Sequence, residues 1–456
     1  MSLFNTLRSS ATGLYASQMR IDLVSSNISR ANDPSYSRQR AITESIGFRD
    51  IGPGTVGMGI EVSEILRNRD AFLDARYRDD RSTASQFGHM TATLGQLEAL
   101  FDEVSGSGLG TVMGEFWDGW NEIANTPTDP TAKVSLVGKA EQLVTTFHNI
   151  ESEVERERGR LDSEISYTVE TVNTLTGQIA SLNADIVAVS KGGEISANDL
   201  LDQRDALVDE LAQIIDIDTA EGSNGIIVRS GGLALVEGAS AHRLELETEI
   251  EGESFSSKIV YGGDGTGFAP RSGSLAAMLE ERDEIIPEIS AGLDEVAVGL
   301  IDAVNDIHRE GYSADGQYTS LDFFTGDSAR TIAVNETIAA DPNRVATSES
   351  GLPGDNEIAL QLAELRDRPV MDGATIGDRY NNLVLAIGIA SQEAQFSESM
   401  AISLSIQSEL QREEGKGVNL DEEMVDLISL QNAYQASATV VSTVDELIQS
   451  TLTMVG

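Results

Sequence analysis

The sequence Gly262-Gly263-Asp264-Gly265-Thr266-Gly267 is the one strongly glycine-rich loop of the chain, and so the first place to look for a phosphate cradle. A phosphate loop closes on Gly-Lys-Ser/Thr, and a dinucleotide fingerprint sits between a strand and a helix. Neither condition holds here, so the segment reads as a turn. The four histidines, His89, His148, His242 and His308, are widely separated and share no metal-ligand spacing. Asp315, Gly316 and Asp327 lie in a stretch with too few regularly spaced oxygens for a calcium loop. The chain has no cysteine, which excludes disulfides, thiolate zinc, iron–sulfur clusters and a cysteine nucleophile. It has 75 acidic residues, but no pair is singled out for hydrolysis. We therefore expect no enzyme, no cofactor and no metal.

The balance of charge points the same way. With 31 basic residues against 75 acidic, the net charge is -44 over 456 residues. Such a surface repels nucleic acid and anionic lipid, because phosphate binding needs clustered Lys and Arg. No apolar run of about 18 residues exists, so no membrane-spanning helix is expected. The N-terminal apolar residues are spaced through Ser, Thr, Asn and Arg and form no continuous signal-peptide core. Export would need a route that does not read one.

The clearest positional pattern lies at the two ends. Leu7, Leu14, Ile21 and Ile28 recur every seven residues, with Leu3, Ala11 and Val24 on the same stripe and Ser2 as N-cap. Leu420, Leu427, Tyr434, Val441, Ile448 and Val455 recur likewise, with Met424, Ala438 and Leu452 as companions. Gly417 stops the preceding element, and Asn419 followed by Glu422 resembles a capping box. A strict seven-residue repeat makes a left-handed seam that needs a partner. The N-terminal segment is rich in Arg, whereas residues 417–456 hold six acids and no base. The two ends are thus expected to pair as a coiled coil. Isolated terminal helices are marginal in water, so about 40 residues at each end are expected to be mobile in the monomer.

Between the ends, residues 63–105 read as helix. A long helix follows Asp129-Pro130 and stops at Gly192-Gly193, and another covers 197–215. The period then changes to two. Ile226–Val228 and Leu233–Val236 flank Gly231-Gly232, a hairpin signal. Helix resumes over 275–308, a loop-rich stretch covers 311–354, and helix returns over 375–414. The expectation is a mainly α, elongated, nested multidomain subunit. Its terminal coiled-coil domain is 1–40 with 417–456, its helical core 41–215 with 272–416, and its small β-rich insert 216–271.

Four segments carry a family resemblance. Residues 25–39, Ser-Ser-Asn-Ile-Ser-Arg-Ala-Asn-Asp-Pro-Ser-Tyr-Ser-Arg-Gln, resemble the N-terminal signature of flagellar rod, hook and hook-associated proteins, with Ser26 and Ser35 in place of the usual Asn and Gly. Gly417-Val418-Asn419-Leu420-Asp421-Glu422-Glu423-Met424 and Asn198–Leu207 are similar to the hook-associated branch of that family, as is Asp322-Phe323-Phe324. Larger members have a further outer domain after the Phe-Phe segment, where this chain has only a modest loop.

The resemblance implies a structural subunit at the hook–filament junction, exported without a cleaved signal peptide and extracellular. Its implied partners are itself, hook protein, a second hook-associated protein and an export chaperone. Leu7, Leu14, Ile21, Ile28, Leu420, Leu427, Tyr434, Val441 and Ile448 are the expected assembly residues. The alternatives are a hook or rod subunit of the same family, or a secreted adhesin or hydrolase with coiled-coil ends.

Overall fold

The computed structural model describes residues 3–50, 55–101, 108–191, 197–251, 254–262 and 265–455. Ser2, Gly192-Gly193 and Gly263-Asp264, invoked above as cap, stop and turn, lie outside them. So do the side chains of Val455, Thr248 and Ile250.

Helix α1 (Leu3–Ser29) is followed by strands β1 (Gln39–Ser45), β2 (Phe48–Asp50), β3 (Thr55–Gly57) and β4 (Ile60–Arg67). β1 pairs antiparallel with β4, from Gln39 opposite Arg67 to Ser45 opposite Ile60, and β2 with β3. This corrects the helix expected from residue 63, which begins only with α2 (Ala71–Leu100). Next come α3 (Leu109–Asn125), α4 (Pro130–Lys191) and α5 (Asn198–Ile214). Helix α4 runs for 62 residues. Pro130 stands in its first turn and Asp129 caps it, accepting from Thr131 N at 2.8 Å.

The expected β segment is β5 (Asp218–Gly222), β6 (Gly225–Ser230), β7 (Leu233–Glu237), β8 (Ser240–Ala241), β9 (Leu244–Glu251), β10 (Ser254–Tyr261) and β11 (Thr266–Gly267). The strands form a four-stranded sheet in the order β5-β6-β7-β8 and a three-stranded sheet in the order β11-β10-β9. The β6–β7 hairpin turns on Gly231 and Gly232, both at positive φ (55° and 84°), as a two-residue hairpin demands. Of the glycine-rich segment, Thr266–Gly267 is β11, paired antiparallel with β10. Two asparagines of α4 fasten the sheets. Asn183 donates to Ile226 O and Gly238 O (3.0 and 2.8 Å), and Asn173 exchanges two bonds with Leu244.

The chain continues through α6 (Ser274–Glu280), a π-helical turn (Glu281–Ile285), α7 (Ile286–Glu310), β12 (Tyr312–Ser313), β13 (Phe324–Thr325), β14 (Ala333–Val334), α8 (Glu336–Ala340), β15 (Ala346–Ser348), α9 (Glu357–Glu364), α10 (Ile376–Lys416) and α11 (Leu420–Val455). The loop-rich stretch thus folds around short strands: β12 pairs with β15, and β13 with β14.

By contacts the chain divides into two compact units. One comprises 1–84, 169–273 and 401–456, so the terminal helices and both larger sheets share it. The other comprises 85–168 and 274–400. The second unit has an aromatic core of Phe116, Trp120, Phe323 and Phe324, with the Phe116 ring 5.5 Å from Phe324 and Trp120 5.4 Å from Phe323. Buried Asn305 fixes the Phe-Phe segment. Its side-chain oxygen accepts from Phe323 N and Phe324 N, and its amide donates to Phe324 O.

Candidate assembly interface

Helices α1 and α11 pack together along their lengths. Asn27 bonds Glu423, and a Cβ on Gly13 would lie 3.8 Å from Ser437 Oγ. The positions 27 with 423 and 13 with 437 each add to 450, so the pair is antiparallel. Of the nine residues expected at the seam, Leu7, Leu14, Ile21, Ile28, Leu427, Tyr434, Val441 and Ile448 are half-buried in it. Leu420, the first residue of α11, is 47% exposed.

The companion positions differ from those expected. The fully buried line of α11 is Glu423, Leu430 and Val444, with half-buried Ser437 between them. It lies one residue before the expected Met424, Ala438 and Leu452, of which Met424 and Leu452 are exposed. On α1 the buried residues are Ala16, Ser17, Val24 and Asn27, and Ala11 is exposed. Small Ser10, Ser17 and Ser437 at companion positions let the two backbones come close.

At the base of this pair the signature segments converge. Asn27 is 1% exposed, and its amide donates to Glu423 Oε2 (3.0 Å) and Gln39 O (3.1 Å). Its oxygen accepts from Tyr36 Oη (2.7 Å) and Gln39 N (3.1 Å). All the polar capacity of one buried amide is thus used to tie the end of α1, the following turn and the start of α11. Arg38 completes the latch from Nε to Glu423 (2.7 Å) and from Nη1 to Glu422 (3.2 Å), while Lys416 Nζ donates to Pro34 O. Asn419 caps α11, accepting from Asp421 N at 3.0 Å.

The internal motif faces the same region. Asp199 pairs with Arg30 at 2.6 Å. Asp202 accepts from Ser37 N and Oγ and from Arg67. Asp205 accepts from Arg67 (2.7 Å) and Arg69 (2.8 Å). Arg69 and Arg412 both bond Asp74, and Arg412 and Arg78 both bond Asp209. Burial alone would push the Asp205 carboxyl up, but Arg69, Arg67 and Arg204 outweigh it and hold it below its ordinary value. These ions are mutually compensated, so their arrangement favours a fixed geometry rather than an open reactive group. Sequence reasoning singled out the motif but not its pairing. The alternation of Asp at 199, 202, 205 and 209 on one helix was the available signal.

No helix of the described residues is long and apolar enough to cross a membrane, and no group of three or more His, Asp or Glu among them could hold a metal ion. His89 contacts Glu281 and Glu164, whereas His308 is enclosed by backbone.

Comparison with known proteins agrees with the signatures. Residues 94–324, just over half the chain, match the flagellar hook-associated protein FlgK helical domain. Residues 410–454 match the flagellar basal body rod FlgEFG protein C-terminal family. Flagellar hook-associated protein 1 of Bacillus subtilis is 28% identical across all of this chain and 99% of its own length. The Escherichia coli protein of that name is 30% identical over 70% of this chain and 59% of its own length. A solved structure titled the flagellar hook junction protein FlgK, from Burkholderia pseudomallei, superposes with a TM-score of 0.64 at 15% identity, over 73% of this chain and 98% of that one. The family match over half the chain, together with a relative aligned end to end, places the chain in the FlgK family of flagellar hook-associated proteins.

Proposed function

We propose that the protein is a structural subunit of the bacterial flagellum, set between hook and filament, and that its role is mechanical rather than catalytic. The observation that carries this is that the N-terminal signature bonds both the C-terminal motif, at Asn27–Glu423 and Arg38–Glu423, and the internal motif, at Arg30–Asp199 and Ser37–Asp202. Three of the four stretches that resemble the family thus bond one another. In this reading the terminal pair, the helical middle and the β insert act as three parts, and the nine seam residues serve assembly. The subunit is exported without a cleaved signal peptide and works outside the cell. Its neighbours are further copies of itself, hook protein and a second hook-associated protein, and a chaperone escorts it before export.

Deleting the gene tests the reading. Cells should keep hooks, lose filaments and release free filament protein into the medium, and the full-length gene should restore filaments. Normal filaments in the deletion strain would overturn it. A hook or rod subunit is the second reading, favoured by the match at residues 410–454 alone. That reading predicts loss of the hook itself.

A further inference from the structure

In the second unit the helical ladder widens at one place. The π-helical turn Glu281–Ile285 joins α6 to α7, and Ile286 N donates to Glu281 O across it. Pro287 follows at once. A proline cannot donate to the carbonyl four residues before it, and its ring crowds that carbonyl, so the chain takes up an extra residue just ahead of it. The widened turn carries Glu281, which is 0% exposed.

The Glu281 carboxylate meets His89 Nδ1 at 3.0 Å and accepts from Thr93 Oγ1 at 3.1 Å, both on α2. The other ring nitrogen of His89, Nε2, lies 3.5 Å from Glu164 of α4. His89 thus stands between two carboxylates at opposite edges of its ring, whereas His148 and His308 face backbone. A neutral imidazole has one N–H and can serve only one of the two; the imidazolium serves both.

The surroundings favour the charged ring. Glu280 and Glu284 flank the turn, and Glu280 is held above its ordinary value by burial and by Glu284 and Glu281. From α10, Glu398 Oε1 comes within 3.5 Å of where a Cβ on Gly88 would lie. The nearby cations are already engaged: Arg282 with Asp283 (2.7 Å) and Asp162 (3.2 Å), and Arg160 with Glu157 and Glu164. Burial lowers the pKa of His89, but the bond to Glu281 and the charges of Glu281 and Glu164 outweigh it and raise it above 6.5.

We infer that the π-helical turn is a proton-held joint: charged His89 pins it to α2 and α4, and loss of that proton releases it. Burial sets the order of release. Glu281 is enclosed, so Nδ1 keeps the last N–H. Nε2 then turns a lone pair toward Glu164, which is 34% exposed, already bonded to Arg160, and free to swing out. Glu281 is left as a buried carboxylate against an uncharged ring, which favours opening of the turn to water. The folded-state value of His89 is the higher one, so the hold is complete below 6.5 and is lost as pH rises through that folded value. The joint belongs to the second unit's own fold and does not depend on the assembly role proposed above.

Hydrogen exchange of the full chain, read by mass spectrometry from pH 5 to 9, tests the joint. Each rate is divided by that of the unfolded peptide at the same pH, which leaves the opening equilibrium. In peptides spanning 278–287, opening should be flat below about pH 6.5, rise by up to tenfold per pH unit above it, and level off past the folded value. Peptides spanning 116–123, in the aromatic core, should show no rise above pH 6.5. His89→Gln should remove the step and hold exchange of 278–287 at its alkaline level throughout. Glu164→Gln removes one of the charges that raise His89, so the step should end at lower pH and be smaller. Absence of the step in the parent chain overturns the joint, as does a step that persists in His89→Gln or keeps its end point in Glu164→Gln. Glu164 lies at the surface, so that last comparison decides even if His89→Gln does not fold.

Discussion

Asn27 is where a single side chain decides most. It serves two acceptors and two donors while almost wholly buried. Asn27→Ala leaves Tyr36 Oη, Gln39 N and one Glu423 oxygen without that partner, and each unsatisfied buried group costs about 1–3 kcal/mol. We predict a loss of about 2–4 kcal/mol in the denaturant unfolding of the full chain. A loss under about 0.5 kcal/mol, the level of an ordinary surface substitution, would show that the latch is not a fastening.

His308 sets the response to acid. Its Nδ1 donates to Leu321 O at 2.7 Å, and its Nε2 accepts from Ala346 N at 3.0 Å, so the geometry requires the neutral ring. Burial depresses its pKa from 6.5 to about 4. The folded-state value is the lower one, so the unfolded chain binds the proton first. The stabilisation is complete above pH 6.5 and is lost as pH falls from there toward 4. His89 has the opposite sign. Burial lowers its pKa, but the bond to Glu281 and the charges of Glu281 and Glu164 raise it overall. Its contribution is complete below 6.5 and fades as pH rises through the higher folded value. Melting temperatures from pH 4 to 8 should therefore fall on the acid side. The fall should shrink in His308→Gln and persist in His89→Gln. An unchanged acid limb in His308→Gln would contradict the assignment.

At the scale of elements, α11 shows what a heptad can and cannot tell. Leu427, Tyr434, Val441 and Ile448 were legible because large apolar residues mark one line of the repeat. The companion line was not, because Glu423 and Ser437 interrupt it while Met424 and Leu452 imitate it one residue later. The buried line separates the two by mutation. Leu430→Ala should destabilise the terminal pair by about 2–4 kcal/mol, as burial of a leucine implies. Met424→Ala, on the exposed side, should change stability by less than about 0.5 kcal/mol. Equal effects in thermal unfolding would reject the register. Leu427→Asp should leave the free chain soluble and block incorporation at the hook tip.

The strands β1–β4 escaped the sequence reading for a related reason. Their residues are mostly half-buried or exposed, so Arg40, Glu44, Glu61 and Glu64 break the alternation by which a strand is recognised. The insert was legible because Ile226, Val228, Leu235 and Val236 are buried around a two-glycine turn. The internal motif was visible only as a likeness, since, apart from Arg204 beside Asp205, the guanidinium partners of its aspartates lie more than 130 residues away.

At the scale of the molecule, the latch divides firmly held from weakly held chain. Beyond it α1 and α11 pack mainly on each other, and α1 also on β1 and β4, whereas the latch bonds to α5 and the end of α10. Limited proteolysis of the monomer should remove residues up to about 26 and beyond about 424 and leave the remainder resistant, as termini fray up to the first firm tie. Cleavage that starts within 40–415 would contradict this. Replacing 218–267 with a Gly/Ser linker should free Asn183 and Asn173 but leave the second unit's aromatic core folded. Near-ultraviolet circular dichroism of Trp117 and Trp120 reports on that core.

The two halves of the latch, Asn27 and Glu423, are 396 residues apart along the chain. An unfolded chain threading a narrow conduit from its first residue would deliver one half almost at once and the other only when nearly all the rest had emerged. Closing the latch is therefore a test of completeness. A product cut short just before Glu423 still carries every residue of its sheets and its aromatic core, yet it never fastens its first helix to its last. The fold thus contains a length check, read not by another protein but by whether one asparagine finds one glutamate.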